Sequence, residues 1–202
     1  MASTAAPYGL KPVKRVDGMA YAGATDELLI NPAGYADNIF NGQIVALNAD
    51  GYIELVTEVG SDGDAFPAGT IGVFVGCEYV NTEGQVIFSQ YYPAATTGVV
   101  KAKVVTDPRV VFQAQADGSV TQASLGANVY LAESQIDGSG DSVGNTRTGN
   151  STIALDQSTI AATSGFAFRI VGFASPVGDA ATDLYVIFNP GSHSYTNATG
   201  VA

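Results

Sequence analysis

Asn38-Ile39-Phe40-Asn41-Gly42-Gln43-Ile44-Val45-Ala46-Leu47-Asn48-Ala49-Asp50-Gly51-Tyr52-Ile53-Glu54-Leu55-Val56 sets short apolar runs against two glycine-containing dipeptides. Asn41-Gly42 separates residues 36–40 from residues 43–47, and Asp50-Gly51 separates that second run from residues 52–59. Both dipeptides predict two-residue hairpin turns, because a type I′ turn requires positive φ at both central positions and Asn, Asp and Gly tolerate it. Short strands joined by such turns define an antiparallel β protein.

The same punctuation continues outward. Residues 69–80 and 85–92, separated by a turn at 81–84, read as a long hairpin. In residues 99–106, Lys101 and Lys103 stand two apart and share one solvent face, while Ala102 points to the other. Residues 109–116 follow, then the turn Asp117-Gly118, residues 119–123 and 126–132, and in the final third residues 152–155, 166–174 and 184–189. The best helical candidate, residues 156–163, is short and rich in Ser and Thr, and no fixed-period repeat occurs. The pattern therefore predicts an all-β chain, an antiparallel β-barrel or β-sandwich of about ten short strands. Residues 1–37, with Pro7, Pro12 and Pro32 and no sustained period, are expected to form an extended N-terminal arm. Residues 38–202 form a single β body, as one barrel or two lobes. Within it, residues 133–151 are almost free of apolar side chains and predict a long loop that is exposed or ordered by a partner.

Composition limits what such a body does. Hydrophobic residues make up 46% of the 202 and charged residues 13%, far from the composition that keeps chains disordered. The net charge is −11 with only eight Lys and Arg, which cannot supply a basic face for nucleic acid. Three of those eight, Lys11, Lys14 and Arg15, fall in the first fifteen residues, so a basic arm precedes an acidic body. The N-terminus lacks the order of a secretory signal, and no window approaches the ~18 apolar residues of a membrane span, so a membrane partner is not expected.

The side chains that usually carry catalysis are nearly absent. Cys77 is the single cysteine, and its apolar run predicts a buried, inert thiol. His193 is the single histidine; it follows the last strand without a Gly-x-Ser-x-Gly elbow and reads as a surface residue of the tail. Asp62 and Asp64, and Asp137 and Asp141, sit in loops without the ligand ladder of a calcium loop, and one Cys with one His cannot build a zinc site. Glu54, Glu58 and Asp107 could pair as glycosidase carboxylates, but acidic residues at turns and on alternate strand positions read as solvated faces. No catalytic residue, metal or cofactor is expected, and the chain reads as a non-enzyme. Tyr91, Tyr92 and Tyr195 are the most exposed-looking aromatics, with strand-terminal packing the commoner role for such residues.

Three segments carry a family resemblance: Pro7-Tyr8-Gly9-Leu10-Lys11-Pro12-Val13, Gly34-Tyr35-Ala36-Asp37-Asn38-Ile39-Phe40-Asn41-Gly42, and Asp107-Pro108-Arg109-Val110-Val111-Phe112-Gln113-Ala114-Gln115-Ala116-Asp117-Gly118. In pattern the chain resembles the cement or decoration proteins of tailed bacteriophages, small β-rich proteins that accompany the major capsid protein. The resemblance is weakest at residues 133–151 and in the tail. It implies a structural virion protein on the outer capsid surface, made in the bacterial host cytoplasm, that clusters as a homotrimer and bridges neighbouring capsid subunits. The arm residues Tyr8, Leu10, Lys11, Lys14 and Arg15 are then the expected capsid contacts. A head-fibre or tail module that binds a host receptor or glycan, through a surface that includes Tyr91 and Tyr92, is the alternative.

Overall fold

A computed structural model describes residues 4–56, 66–137, 139–163 and 165–200. Fourteen strands and one short 3-10 turn at Gln122–Ser124 make up the regular structure, with no α-helix among the described residues. The chain is all-β, with antiparallel and mixed sheets packed in a sandwich-like arrangement.

One six-stranded sheet runs in the order β3 (Ile44–Leu47), β4 (Ile53–Leu55), β2 (Asp26–Ile30), β7 (Val100–Val105), β5 (Thr70–Val80) and β6 (Val86–Ser89). β3 also pairs with β5, so the first five strands close on themselves and β6 hangs from β5 alone. The length of β5 makes this possible: Thr70, Gly72 and Val73 pair with β3, whereas Cys77–Val80 pair with β6. Gly72 permits the closure, since a Cβ there would lie 2.0 Å from the Val105 carbonyl oxygen. The second six-stranded sheet runs β1 (Lys11–Arg15), β8 (Val110–Gln115), β14 (Asp183–Phe188), β13 (Phe168–Phe173), β9 (Asn128–Leu131) and β12 (Leu155–Ala161). A bridge from Ala116 to Leu155 curls it by joining the end of β8 to β12. β10 (Gly144–Asn145) and β11 (Asn150–Ser151) form a small separate ribbon.

Two cores result, one inside the closed sheet and one between the sheets. Ile30, Val45, Ile53, Phe74, Tyr92 and Val104 fill the first. Ile44, Ala46 and Val73 point out of the closed sheet and join Phe112, Phe168 and Phe188 in the second. Adjacent residues of a strand face opposite ways. An unbroken run such as Ile44-Val45-Ala46 therefore marks a strand buried on both faces. The aromatic rings interlock, with Phe168 and Phe188 at 4.9 Å between centroids and Phe112 edge-on to Phe188 at 5.7 Å. Cys77 is buried as expected, and burial pushes its thiol up to about 12.

Several local expectations are corrected. Asp50-Gly51 ends a three-residue loop rather than forming a two-residue turn: Asn48 N–H donates to the Tyr52 carbonyl, and Asn48 Oδ1 accepts from the N–H groups of Asp50 and Tyr52. Only Gly51 then needs the left-handed region, at φ 79°. Asn81 to Gln85 repeats the device between β5 and β6, with Asn81 Oδ1 accepting from Glu83 and Gln85. Asn41-Gly42 is not a hairpin turn. Gly42 N–H donates to Phe74 and its carbonyl accepts from Leu10 N–H, a crossing so close that a Cβ would sit 2.9 Å from that nitrogen. Residues 156–163 give the strand β12 instead of a helix, because Asp156 Oδ1 and carbonyl oxygen engage Ser158 and Thr159 and so draw the backbone out of the helical pattern. Residues 119–123 form no strand, and the 3-10 turn Gln122–Ser124 overlaps their end.

The arm and the long loop are both tied to the body. Residues 11–15 are extended as β1 at the end of the second sheet, while residues 26–30 form an inner strand of the first. In residues 133–151, Gln135 is fully buried; its Oε1 accepts from Ile44 N–H at 2.7 Å and its Nε2 donates to the Ile44 and Val56 carbonyls at 2.8 Å each. The amide stands where the next pair of the β3–β4 ladder would be.

Candidate functional site

β1 brings three of the five arm residues of interest, Lys11, Lys14 and Arg15, to one edge of the second sheet. It pairs with β8 in two pieces, with a register shift between Pro12 and Lys14, since proline has no N–H to give to a ladder. Leu10, just before it, is only 1% exposed and packs in the core between the sheets, so it fastens the arm and offers a partner no surface. Tyr8 is half-buried and donates its hydroxyl to Asp183 Oδ1 at 3.0 Å. Burial, and then the Asp183 charge, hold its phenol well above the usual range.

The three cations have different surroundings. Arg15 lies 3.3 Å from Asp107 and 3.6 Å from Asp17, so its charge is largely answered within the chain. Lys14 is exposed, with its ammonium 4.9 Å above the Tyr185 ring, an aromatic rather than an ionic partner. Lys11 is exposed and has no ion pair among the described residues.

Beside Lys11 the two sheets part around an open cleft of about 800 Å³. Tyr8, Lys11, Tyr21, Gln90, Lys103 and Asn150 are among the residues that line it. The sequence holds nineteen Asp and Glu, yet none of those among the described residues lines this cleft, whereas Lys11 and Lys103 do. Lys103 also lies 3.8 Å from Glu27, which it shares with Lys101 on the same face of β7. The Tyr21 hydroxyl donates to the Ala24 carbonyl at 2.8 Å, which fixes its ring. Tyr21, Gln90, Lys103 and Asn150 gave no signal in the sequence, because they come from separate segments that only the tertiary fold assembles.

A second surface lies at the far end of the closed sheet. Val80 stands opposite Val86, and Glu78 opposite Phe88, so these four side chains share one face of the β5–β6 hairpin. Phe88 is 72% exposed, Val80 and Val86 are each 54% exposed, and Val99 nearby is 66% exposed. The edge strand β6, Val-Ile-Phe-Ser, carries no charge, no proline and no register shift. These are the devices by which edge strands usually avoid pairing with other chains.

Two aromatic expectations and one for histidine are refined here. Tyr195 is exposed, but Tyr92 is fully buried with its hydroxyl donating to the Thr96 carbonyl, and Tyr91 stacks on Phe40 at 5.5 Å. Tyr92 therefore belongs to the core and not to a binding surface. His193 is 1% exposed, which corrects its placement on the surface. After β14 the tail folds back, and Ser194 N–H donates to the Thr70 carbonyl at 2.6 Å. That return packs the imidazole against Phe188 and Tyr195, with Nδ1 accepting from Tyr195 N–H. Burial pulls its pKa down to about 4.

No group of three His, Cys, Asp or Glu among the described residues is placed to hold a metal ion. Asp137 Oδ1 accepts from the N–H groups of Ser139 and Asp141, so this carboxylate caps its own turn. Glu58, Asp62 and Asp64 lie outside the described residues. No helix among the described residues is long and apolar enough to cross a membrane. Comparison with protein-family models, curated proteins and solved structures finds no match.

Proposed function

We propose that this chain is a structural virion protein that binds the outer surface of a phage capsid and stabilises it by bridging neighbouring capsid subunits. Its partners are the major capsid protein and further copies of itself, as a trimer. The observation that carries this reading is the uncharged edge strand β6, which among the described residues pairs with β5 alone, with Phe88, Val80 and Val86 exposed beside it. A chain that buries Phe112, Phe168 and Phe188 almost completely leaves these three in water. Such a patch gains by transfer into an interface, at roughly 25 cal/mol per Å² of apolar surface.

Edge pairing by β6 joins copies, since backbone hydrogen bonds give affinity and alternate side chains give register. Lys14, exposed on β1, faces an acidic capsid surface. Repetition over a lattice turns contacts that are weak singly into firm attachment. Deleting residues 1–15 is a poor test, because it also removes Leu10 from the core. The sharper test compares the parent with Phe88→Asp and Lys14→Glu in co-sedimentation with purified capsids that lack the protein. The parent should bind to saturation, and each variant should lose most of that binding while keeping its β circular-dichroism spectrum. Failure of the parent to bind, or unchanged binding by both variants, would overturn the proposal.

A further inference from the structure

The cleft beside β1 has a composition that the shell-binding reading does not use. We propose that it is a binding site for an acidic saccharide, a sugar chain that carries carboxylates. The charge is the first reason. In a chain of net charge −11, a cleft whose lining holds Lys11 and Lys103 and, among the described residues, no carboxylate favours anions, with Lys11 the unpaired charge and Lys103 paired with Glu27.

The second reason is the kind of polar group on offer. Gln90 and Asn150 line the cleft, and neither side chain makes a hydrogen bond within the described protein. A carboxamide presents a donor and an acceptor side by side, and so does a sugar hydroxyl. The Tyr8 and Tyr21 hydroxyls are already committed to Asp183 and Ala24, so their rings are held as fixed apolar surfaces for the C–H faces of a pyranose. Lysine ammonium groups suit a single carboxylate, while the cleft has no arginine among its lining residues to grip a phosphate in two-pronged fashion.

The third reason concerns what the cleft cannot take. A peptide added as a strand to β1 needs open backbone groups there. Pro12 has no N–H, Val13 already accepts from Tyr21 N–H, and Lys14 is bridged to Ala20. Recognition must come from side chains, which favours a saccharide over an extended peptide. The volume of about 800 Å³ lies within the ~300–1,000 Å³ typical of small-molecule sites, and the open side lets a longer chain run on past it.

Titration of the full-length protein with trigalacturonate, maltotriose and triglutamate, followed by calorimetry and by backbone amide NMR shifts, tests the proposal. Trigalacturonate should give saturable shifts at Tyr21, Gln90, Lys103 and Asn150 and bind more tightly than either control. Lys11→Gln should weaken it about tenfold or more, as expected for a charge-assisted hydrogen bond. Asn150→Ala should weaken it with the same group of signals affected, and Phe88→Asp should leave it unchanged, which separates this site from the shell-binding surface. The proposal is overturned by the absence of saturable shifts at millimolar trigalacturonate, by equal binding of maltotriose, by tighter binding of triglutamate, or by parental affinity in Lys11→Gln.

Discussion

Replacing Gln135 by leucine keeps the volume of a fully buried side chain and removes its hydrogen bonds. Three bonds disappear: Ile44 N–H to Oε1, and Nε2 to the carbonyls of Ile44 and Val56. They do not count equally. The Ile44 carbonyl keeps a second donor, Val56 N–H at 3.1 Å, so its loss is small. The Ile44 N–H and the Val56 carbonyl are left facing an apolar side chain in a dry interior. Each unsatisfied buried group costs about 1–3 kcal/mol, so with two of them the substitution should lower stability by about 2–6 kcal/mol. Urea denaturation followed by tyrosine fluorescence and far-ultraviolet dichroism measures this as a shift in midpoint at constant slope. The same variant should expose residues 133–151 to limited proteolysis, because the anchor that pins the loop is gone. A loss below about 1 kcal/mol with unchanged proteolysis would refute the reasoning, for it would mean that β3 and β4 can close their own ladder without the amide.

His193, held neutral with a pKa near 4 against an ordinary 6.5, makes stability depend on acid. The unfolded chain binds the proton first as pH falls, so stability is full above about 6.5, falls between there and about 4, and levels off below. The total loss from this group is about 3 kcal/mol. Denaturation midpoints across that window should flatten in a His193→Phe variant, and parallel curves for variant and parent would contradict the assignment. Gly72→Ala should cost about 3 kcal/mol or more by forcing a Cβ onto the Val105 carbonyl. Gly126→Ala, also at positive φ but with no atom within 4 Å, should cost only about 1–2 kcal/mol of backbone strain. Thermal melts of the pair check the contrast, and equal losses would deny the crowding at Gly72.

Strand positions were the most legible feature, because the interval between Asn or Asp with Gly and the next apolar run is a local property. Residues 99–106 gave β7 with Lys101 and Lys103 on one face, and residues 69–92 gave the β5–β6 hairpin. Turn geometry was less legible. The same Asp-Gly dipeptide serves a two-residue or a three-residue loop, and the choice at residues 48–52 was made by the side chain of Asn48 two positions earlier. Least legible were residues whose role depends on distant contacts. The tail return that buries His193 leaves no periodic trace, and neither does the insertion of Gln135 between β3 and β4.

The candidate surfaces divide in the same way. The basic cluster Lys11, Lys14 and Arg15 is visible in the order of residues, but the sequence cannot distribute it. Asp107 answers Arg15, the Tyr185 ring lies beneath Lys14, and Lys11 alone opens on the cleft.

What the sequence determined by itself is the all-β class, the acidic surface and the scarcity of catalytic side chains, since period, turn residues and composition are carried by neighbours along the chain. Tertiary structure alone decided that five strands close into one unit, that β6 pairs with β5 alone among the described residues, and that a cleft with no described carboxylate in its lining forms where the sheets part. Those outcomes depend on pairings such as β3 with β5, and Ala116 with Leu155, between residues far apart in sequence. Whether an edge is covered or a lysine paired is fixed only when every competing contact is in place.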